Sequence, residues 1–150
     1  MGTYVVHYYL WYKMEKIMKI GLVASAFDLL HPGHIMLLRD ARAQCDHLIA
    51  ALHTDPSIER PMKNKPIQST LERYIQLDGC KYVDEIIPYE TESDLLNILT
   101  FKNVDFMCLG SEYKDTEWTG KDLQIRTHFH QRNHNYSSSE LRERINNSLV

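Results

Sequence analysis

The chain has 150 residues, 43% of them hydrophobic and 25% charged, with a formal net charge of −3. That size and balance suit one ordinary globular domain with a real core. The acidic balance removes the electrostatic case for general nucleic-acid binding, and no apolar run is long enough to span a bilayer.

Residues 1–17 stand apart as an N-terminal extension to a domain over 18–150. They lack a basic leader and a small-residue cleavage site, so no signal peptide is expected. Val6 stands where a myristoylation pattern wants Ser or Thr. Three readings stay open: an extra edge strand, an oligomer contact or a loose extension. Tyr4, Val5, Val6, Tyr8, Leu10 and Trp11 would be costly to leave in water, which favours the first two. The three cysteines, Cys45, Cys80 and Cys108, are odd in number and lie in or beside apolar segments. They read as reduced thiols of a cytoplasmic protein.

From residue 19 the pattern becomes regular. Residues 19–24 read as a buried parallel strand and 32–44 as a helix. His47 to His53 is a second strand. Pro56, Pro61 and Pro66 mark a loop that carries Arg60, Lys63 and Lys65. Ser69 caps a helix through Leu77, with Glu72 completing a capping box. Val83 to Pro88 is a third strand, Ser93 to Lys102 a helix, and Val104 to Leu109 a fourth strand. A polar loop follows to Asp122, then a weak fifth strand from Gln124 to Gln131. Ser137 starts the last helix, with a capping box to Glu140. Strands alternating with helices predict an α/β fold: a Rossmann-like, doubly wound, parallel five-stranded sheet with helices on both faces. Ligands of such sheets bind beyond the carboxyl ends of the strands, at the switch in strand order.

The stretch from Ala24 to His34 organises this pattern. It turns a strand into a helix. Pro32 suits the first helical turn, and Gly33 lets a ligand or another backbone approach. His31 and His34, three apart, share one side of the helix N-terminus. Unpaired N–H groups and the positive dipole end make that terminus an anion site, and two imidazoles add donors aimed at phosphate. A lone histidine there would read as a cap or a packing group; the pair, following an apolar strand, points to function. No Cys or carboxylate stands beside it at ligand spacing, which argues against zinc.

The same sheet edge gathers Asp28 from the first loop, Asp55, Lys63 and Lys65 from the second, and Arg73 on the next helix. It also gathers Ser111, Glu112 and Tyr113 from the fourth loop, and Arg132, Ser137, Ser138 and Ser139 from the last turn. Taken singly, the lysines read as a solvated face, Ser137 as a plain cap and Arg73 as an exposed helix residue. Their convergence suits a polyphosphate. There is no nucleophile elbow, and no Cys follows a strand into a helix, so covalent catalysis is not indicated.

Phe27-Asp28-Leu29-Leu30-His31-Pro32-Gly33-His34 resembles the HxGH signature of the nucleotidyltransferase superfamily, in its cytidylyltransferase form. Arg132-Asn133-His134-Asn135-Tyr136-Ser137-Ser138-Ser139 is similar to that family's second signature, RTxGxSTT, and Tyr82 to Pro88 resembles its third strand. The likeness covers about residues 18–145 and is nearest to the glycerol-3-phosphate cytidylyltransferases. It implies a Rossmann-like fold, a homodimer, Mg²⁺, and transfer of a nucleotidyl group from CTP to a small phosphate ester with release of pyrophosphate. It implies that His31 and His34 contact the triphosphate and stabilise the transition state. Arg132, Ser137 and Ser138 would hold the outer phosphates, and Lys63 or Lys65 would match the family's loop lysine. Ala26, Phe27, Gly33, Glu112 and Ser139 fall on the nucleotide side, and Asp28, Asp55, Arg73 and Lys81 on the acceptor side. No metal ligand is assigned.

Ser25-Ala26 stands where the family has Gly-Thr, Asn133 replaces a Thr, and Asn135 replaces a Gly. Asn tolerates the left-handed region, so that turn can survive. Gly110-Ser111-Glu112-Tyr113 departs from a loop that usually carries Asp and Trp. Base and acceptor identity therefore stay open. An adenylyltransferase acting on a sugar phosphate and a non-catalytic nucleotide-binding regulator are the alternatives. The intact histidine pair speaks against the second.

Overall fold

The computed structural model describes residues 18–149. The expectations placed on residues 1–17 lie outside this range.

Five strands form one parallel sheet: β1 (Ile20–Ser25), β2 (His47–His53), β3 (Glu85–Tyr89), β4 (Phe106–Gly110) and β5 (Arg126–His130). Their order is β3-β2-β1-β4-β5. Among the described residues, three α-helices connect them, α1 (Pro32–Arg42), α2 (Thr70–Asp78) and α3 (Glu92–Phe101), and a fourth, α4 (Ser138–Asn147), follows β5. The expected doubly wound sheet is present. Its order reverses between β1 and β4, where loops leave in opposite directions and open a crevice.

The strands sort their side chains with a period of two. Val23, Leu48, Ala50, Leu52, Phe106 and Cys108 pack on one face with Leu38 and Ala41 of α1 and Leu77 of α2. Leu22, Ile49, Ala51 and Met107 pack on the other with Leu95 and Leu99 of α3. Both faces are covered, which is why the central strands read as near-continuous apolar runs. At the amino edge, Asp46, Asp105 and Asp84 accept from the backbone N–H of Lys19, Ile20 and Leu48. Three carboxylates thus close that edge, and the carboxyl edge is left for a ligand.

Helix starts differ in detail from the sequence expectation. α3 begins at Glu92, one residue before the expected Ser93, and is capped by Thr91 with Asp94 reciprocating. At α4 Ser137 accepts from the Glu140 N–H, but the reciprocal bond is missing because the Glu140 carboxylate leans to Arg144 at 3.6 Å. That capping box is half formed.

Candidate active site

A cavity of about 650 Å³ opens over the carboxyl ends of the strands. Its floor is the turn from β1 into α1. Phe27 and Leu29 sit at φ 49° and 52°, a left-handed conformation unusual for such side chains. Asp28 between them holds the turn. It is buried, and its carboxylate accepts from the N–H of Ile67 and Gln68 and from Arg142 Nη2 at 3.0 Å. Leu29 N–H donates to Gln68 Oε1 at 2.7 Å, and Ser138 Oγ donates to the Asp28 carbonyl. Strain of about 1–3 kcal/mol per such residue persists only where contacts over-determine it. Here the loop after β2 and helix α4 supply those contacts.

His31 is the N-cap of α1. Its Nδ1 accepts from the N–H of Gly33 and His34, and His34 Nδ1 accepts in return from the His31 N–H at 3.3 Å. The two histidines therefore form a capping box with imidazoles in place of the usual hydroxyl and carboxylate. The consequence is chemical. Each Nδ1 faces a backbone donor, so the proton of each neutral ring sits on Nε2. The rings stack at 3.8 Å and both line the cavity. Burial pushes His34 down to about 3, helped by the neighbouring His31. Burial and then Arg132 lower His31. Both are neutral donors at neutral pH.

The opposite wall comes from the end of β5 and the start of α4. Arg132 donates from Nη1 to Glu112 at 3.3 Å and from Nη2 to the Tyr136 carbonyl at 3.0 Å. Ser137 and Ser138 line the cavity at the α4 N-terminus. Gly33 is required where this wall meets α1: a Cβ there would lie 2.9 Å from the Tyr136 carbonyl oxygen. Lys63 reaches in from the loop after β2, its Nζ 3.4 Å from the Tyr113 hydroxyl.

The cavity thus gathers Ala26, Phe27, Asp28, His31, Gly33, His34, Lys63, Glu112, Arg132, Ser137 and Ser138. Ser139 lies one position further along α4 and does not line it. Lys65, Asp55 and Arg73 line a separate shallow hollow. Asp55 caps its own turn, where the Ser57 hydroxyl and then its N–H hold the carboxyl below the usual range.

Arg73 departs from its expected acceptor role. It is 2% exposed, and its N–H groups are spent on the carbonyls of Ala26, His53, Thr54, Gln68 and Ser69 and on Thr70 Oγ1. No donor is left for a phosphate, and the guanidinium ties α2 to the ends of β1 and β2. Lys81 precedes β3, so it lies at the amino edge, its Nζ 5.2 Å from the Tyr82 ring centre. Neither residue is brought to the cavity.

Several lining residues went unassigned in the sequence. His53, Tyr89 and His130 are the last residues of β2, β3 and β5, and Glu92 is the first of α3. The rule that ligands gather at strand ends would have found them. Glu92 accepts from Arg60 Nη2 at 2.8 Å and from the Thr119 hydroxyl. His53 stacks on Tyr89 at 4.4 Å. Trp118 comes from the polar loop, with no signal in its surroundings.

A family model described as cytidylyltransferase-like matches residues 22–144. The chain is 35% identical over 109 residues to the bifunctional protein HldE of Caulobacter sp. (strain K31), covering 72% of this chain and 22% of that protein. It is 32% identical over 129 residues to a probable ethanolamine-phosphate cytidylyltransferase of Encephalitozoon cuniculi, covering 84% of this chain and 39% of that one. The chain therefore spans well under half of these relatives. The crystal structure of a lipopolysaccharide core biosynthesis protein from Thermoplasma volcanium superposes with a TM-score of 0.62 at 23% identity, covering 80% of this chain and 99% of that one. At that identity the likeness is one of fold.

Proposed function

The chain belongs to the cytidylyltransferase-like family, and from its cavity we propose that it transfers a cytidylyl group from CTP to a small phosphate ester, releasing pyrophosphate. The observation that supports this most is the pair of Nε2–H donors on His31 and His34, fixed by their shared caps and facing a wall of Arg132, Ser137 and Ser138.

A phosphate monoester has a second pKa near 6, so near neutral pH the acceptor is already an anionic nucleophile and needs no base. Its oxygen attacks the α-phosphorus in line. The bond from α-phosphorus to the bridging oxygen breaks, and pyrophosphate leaves with the electron pair. Catalysis is then positioning plus stabilisation of growing charge. His31 and His34 donate to the α-phosphate oxygens and the bridge. Arg132 and the N-terminus of α4 hold the outer phosphates, and Lys63 offsets the repulsion between two anions.

Mg²⁺ fits this site. It is commonly held by substrate phosphates with one or two carboxylates, and Glu112 offers a half-exposed carboxylate on the cavity, tied to Arg132 by a single 3.3 Å bond. When bound, the ion would neutralise triphosphate charge. In the competing reading Glu112 instead accepts from a cytosine amino group, as carboxylates do in base readout.

The acceptor follows from two sources. The sequence resemblance favours glycerol 3-phosphate, and one relative's name points to ethanolamine phosphate. The homodimer and cytoplasmic location implied by the resemblance belong to this proposal. An apolar stripe on α2, Leu71, Tyr74 and Ile75, is exposed and supports a second copy there. Light scattering should give twice the chain mass; a monomer mass at working concentration overturns the dimer. Pyrophosphate release, measured with CTP and ATP against glycerol 3-phosphate, ethanolamine phosphate and sugar phosphates, tests the reaction. Turnover is expected with CTP. Equal or faster turnover with ATP would replace the cytidylyl reading with an adenylyl one.

A further inference from the structure

His130, the last residue of β5, is 8% exposed and lines the cavity two positions before Arg132. Its Nδ1 lies 2.8 Å from Asp40 Oδ2 on α1, and His128 Nε2 meets the same oxygen at 2.9 Å. A carboxylate only accepts, so Nδ1 carries a proton. That leaves Nε2 with two states: a bare lone pair, or an N–H on an imidazolium. Nε2 is buried and has no hydrogen-bond partner among the described residues. Buried polar atoms are ordinarily paired, so an orphan on a cavity wall asks for a partner that arrives with the ligand.

The surrounding charges say which kind. Asp40 from α1 is the negative group in contact with the ring. Cys108 of β4 and His128 of β5 cluster with Asp40. From the turn after β5 come the Arg132 guanidinium and His134, whose ring centre is 6.4 Å away. His134 Nδ1 accepts from the Tyr136 N–H, so its neutral ring presents a donor, not an anion. An anionic oxygen entering the cavity would repel the lone pair and bind the N–H, with Asp40 neutralising the imidazolium behind it.

We propose that His130 is a further phosphate-binding residue of the nucleotide site. It takes up a proton from solvent as the triphosphate enters and donates from Nε2 to a phosphate oxygen. This rests on the nucleotidyltransferase reading and adds to it a polyanion contact made by an Asp40–His130 couple.

The test is calorimetric titration of the full chain with inorganic pyrophosphate and with CTP, from about pH 6 to about pH 8.5, across the range where an ordinary imidazole titrates. Wild type is compared with His130→Gln and Asp40→Asn. The ratio of wild-type to variant affinity cancels the ligand's own ionisation. For His130→Gln that ratio should be about tenfold at the acid end, the scale of a charge-assisted hydrogen bond, and should shrink toward parity at the basic end. Asp40→Asn, which can still accept from Nδ1, should show the same pH-dependent loss, and it carries the test alone if His130→Gln does not fold. A ratio of one throughout, or a loss independent of pH, overturns the proposal. Wild type that releases pyrophosphate from CTP while the variants bind normally would sink only the His130 assignment. Wild type that binds neither ligand would sink both.

Discussion

At the scale of single residues, the histidine pair couples local structure to chemistry. Each ring caps the other's backbone, and that fixes both protons on Nε2. In the proposed reaction these donors would add most when charge builds at the α-phosphate and its bridge, because backbone N–H groups would already serve the ground state. Loss of one such donor costs about 10²–10³ in turnover. His34→Gln and His31→Asn should lower kcat by that order while changing CTP affinity much less. Steady-state kinetics with a parallel binding titration checks this, and near-normal kcat in a folded variant would remove the pair from the mechanism. Arg132→Ala should instead raise the KM for CTP as well, since its phosphate partners are charged before and after reaction.

The same pair has a pH signature. An unfolded histidine titrates near 6.5, whereas burial holds His34 near about 3 in the folded chain. Between those values the unfolded chain binds a proton that the folded chain refuses. Stability present above about pH 6.5 is therefore lost as pH falls toward 3. The ligand-free melting temperature should fall on acidification, and His34→Gln, which can keep the cap, should flatten that fall. Equal slopes for wild type and variant would contradict the neutral assignment.

At the scale of elements, two joints set the site. One is Arg73, which binds α2 to the ends of β1 and β2 through carbonyls. Arg73→Lys cannot reach them all. It should cost about 1–3 kcal/mol in urea unfolding, the scale for a buried hydrogen-bonding group left unpaired, with the acceptor KM little changed in the fraction that stays folded. An acceptor-binding Arg73 would show the reverse. The other joint is Gly33, where α1 meets the turn before α4. Gly33→Ala places a methyl 2.9 Å from the Tyr136 backbone carbonyl, so the joint must shift and both activity and melting temperature should fall. The sequence made the helices legible through caps such as Ser69 with Glu72, because capping is local. Arg73 was misread because its partners lie far along the chain: the Ala26 carbonyl is 47 residues away. Helical spacing shows which face a side chain occupies and is silent about what folds over it.

At the scale of the whole molecule, the sheet order explains why scattered residues meet. With β1 central and β4 beside it, the turn after β1 faces the turn after β5 across the crevice. His31 and Ser137, 106 positions apart by number, thereby line one cavity. This much was legible, since alternating strands and helices leave few arrangements. Lys65, Asp55 and Ser139 were not separable from true lining residues, because one position of loop or helix decides which way each lies, whereas Lys81 precedes β3 and so belongs to the amino edge. His130 ends β5 at the cavity, so the strand-end rule reaches it, while the family signature, which starts at Arg132, does not.

The central claim is that this cavity joins the α-phosphate of CTP to a phosphate ester. Phosphorus NMR of wild type incubated with CTP, Mg²⁺, and glycerol 3-phosphate or ethanolamine phosphate tests it directly. The account predicts that the ester's monophosphate signal is replaced by a coupled diphosphate pair, in step with one pyrophosphate per CTP consumed, and that His34→Gln slows both together. Appearance of CMP with an untouched ester signal, or CTP that stays intact with every ester of the panel, would contradict it.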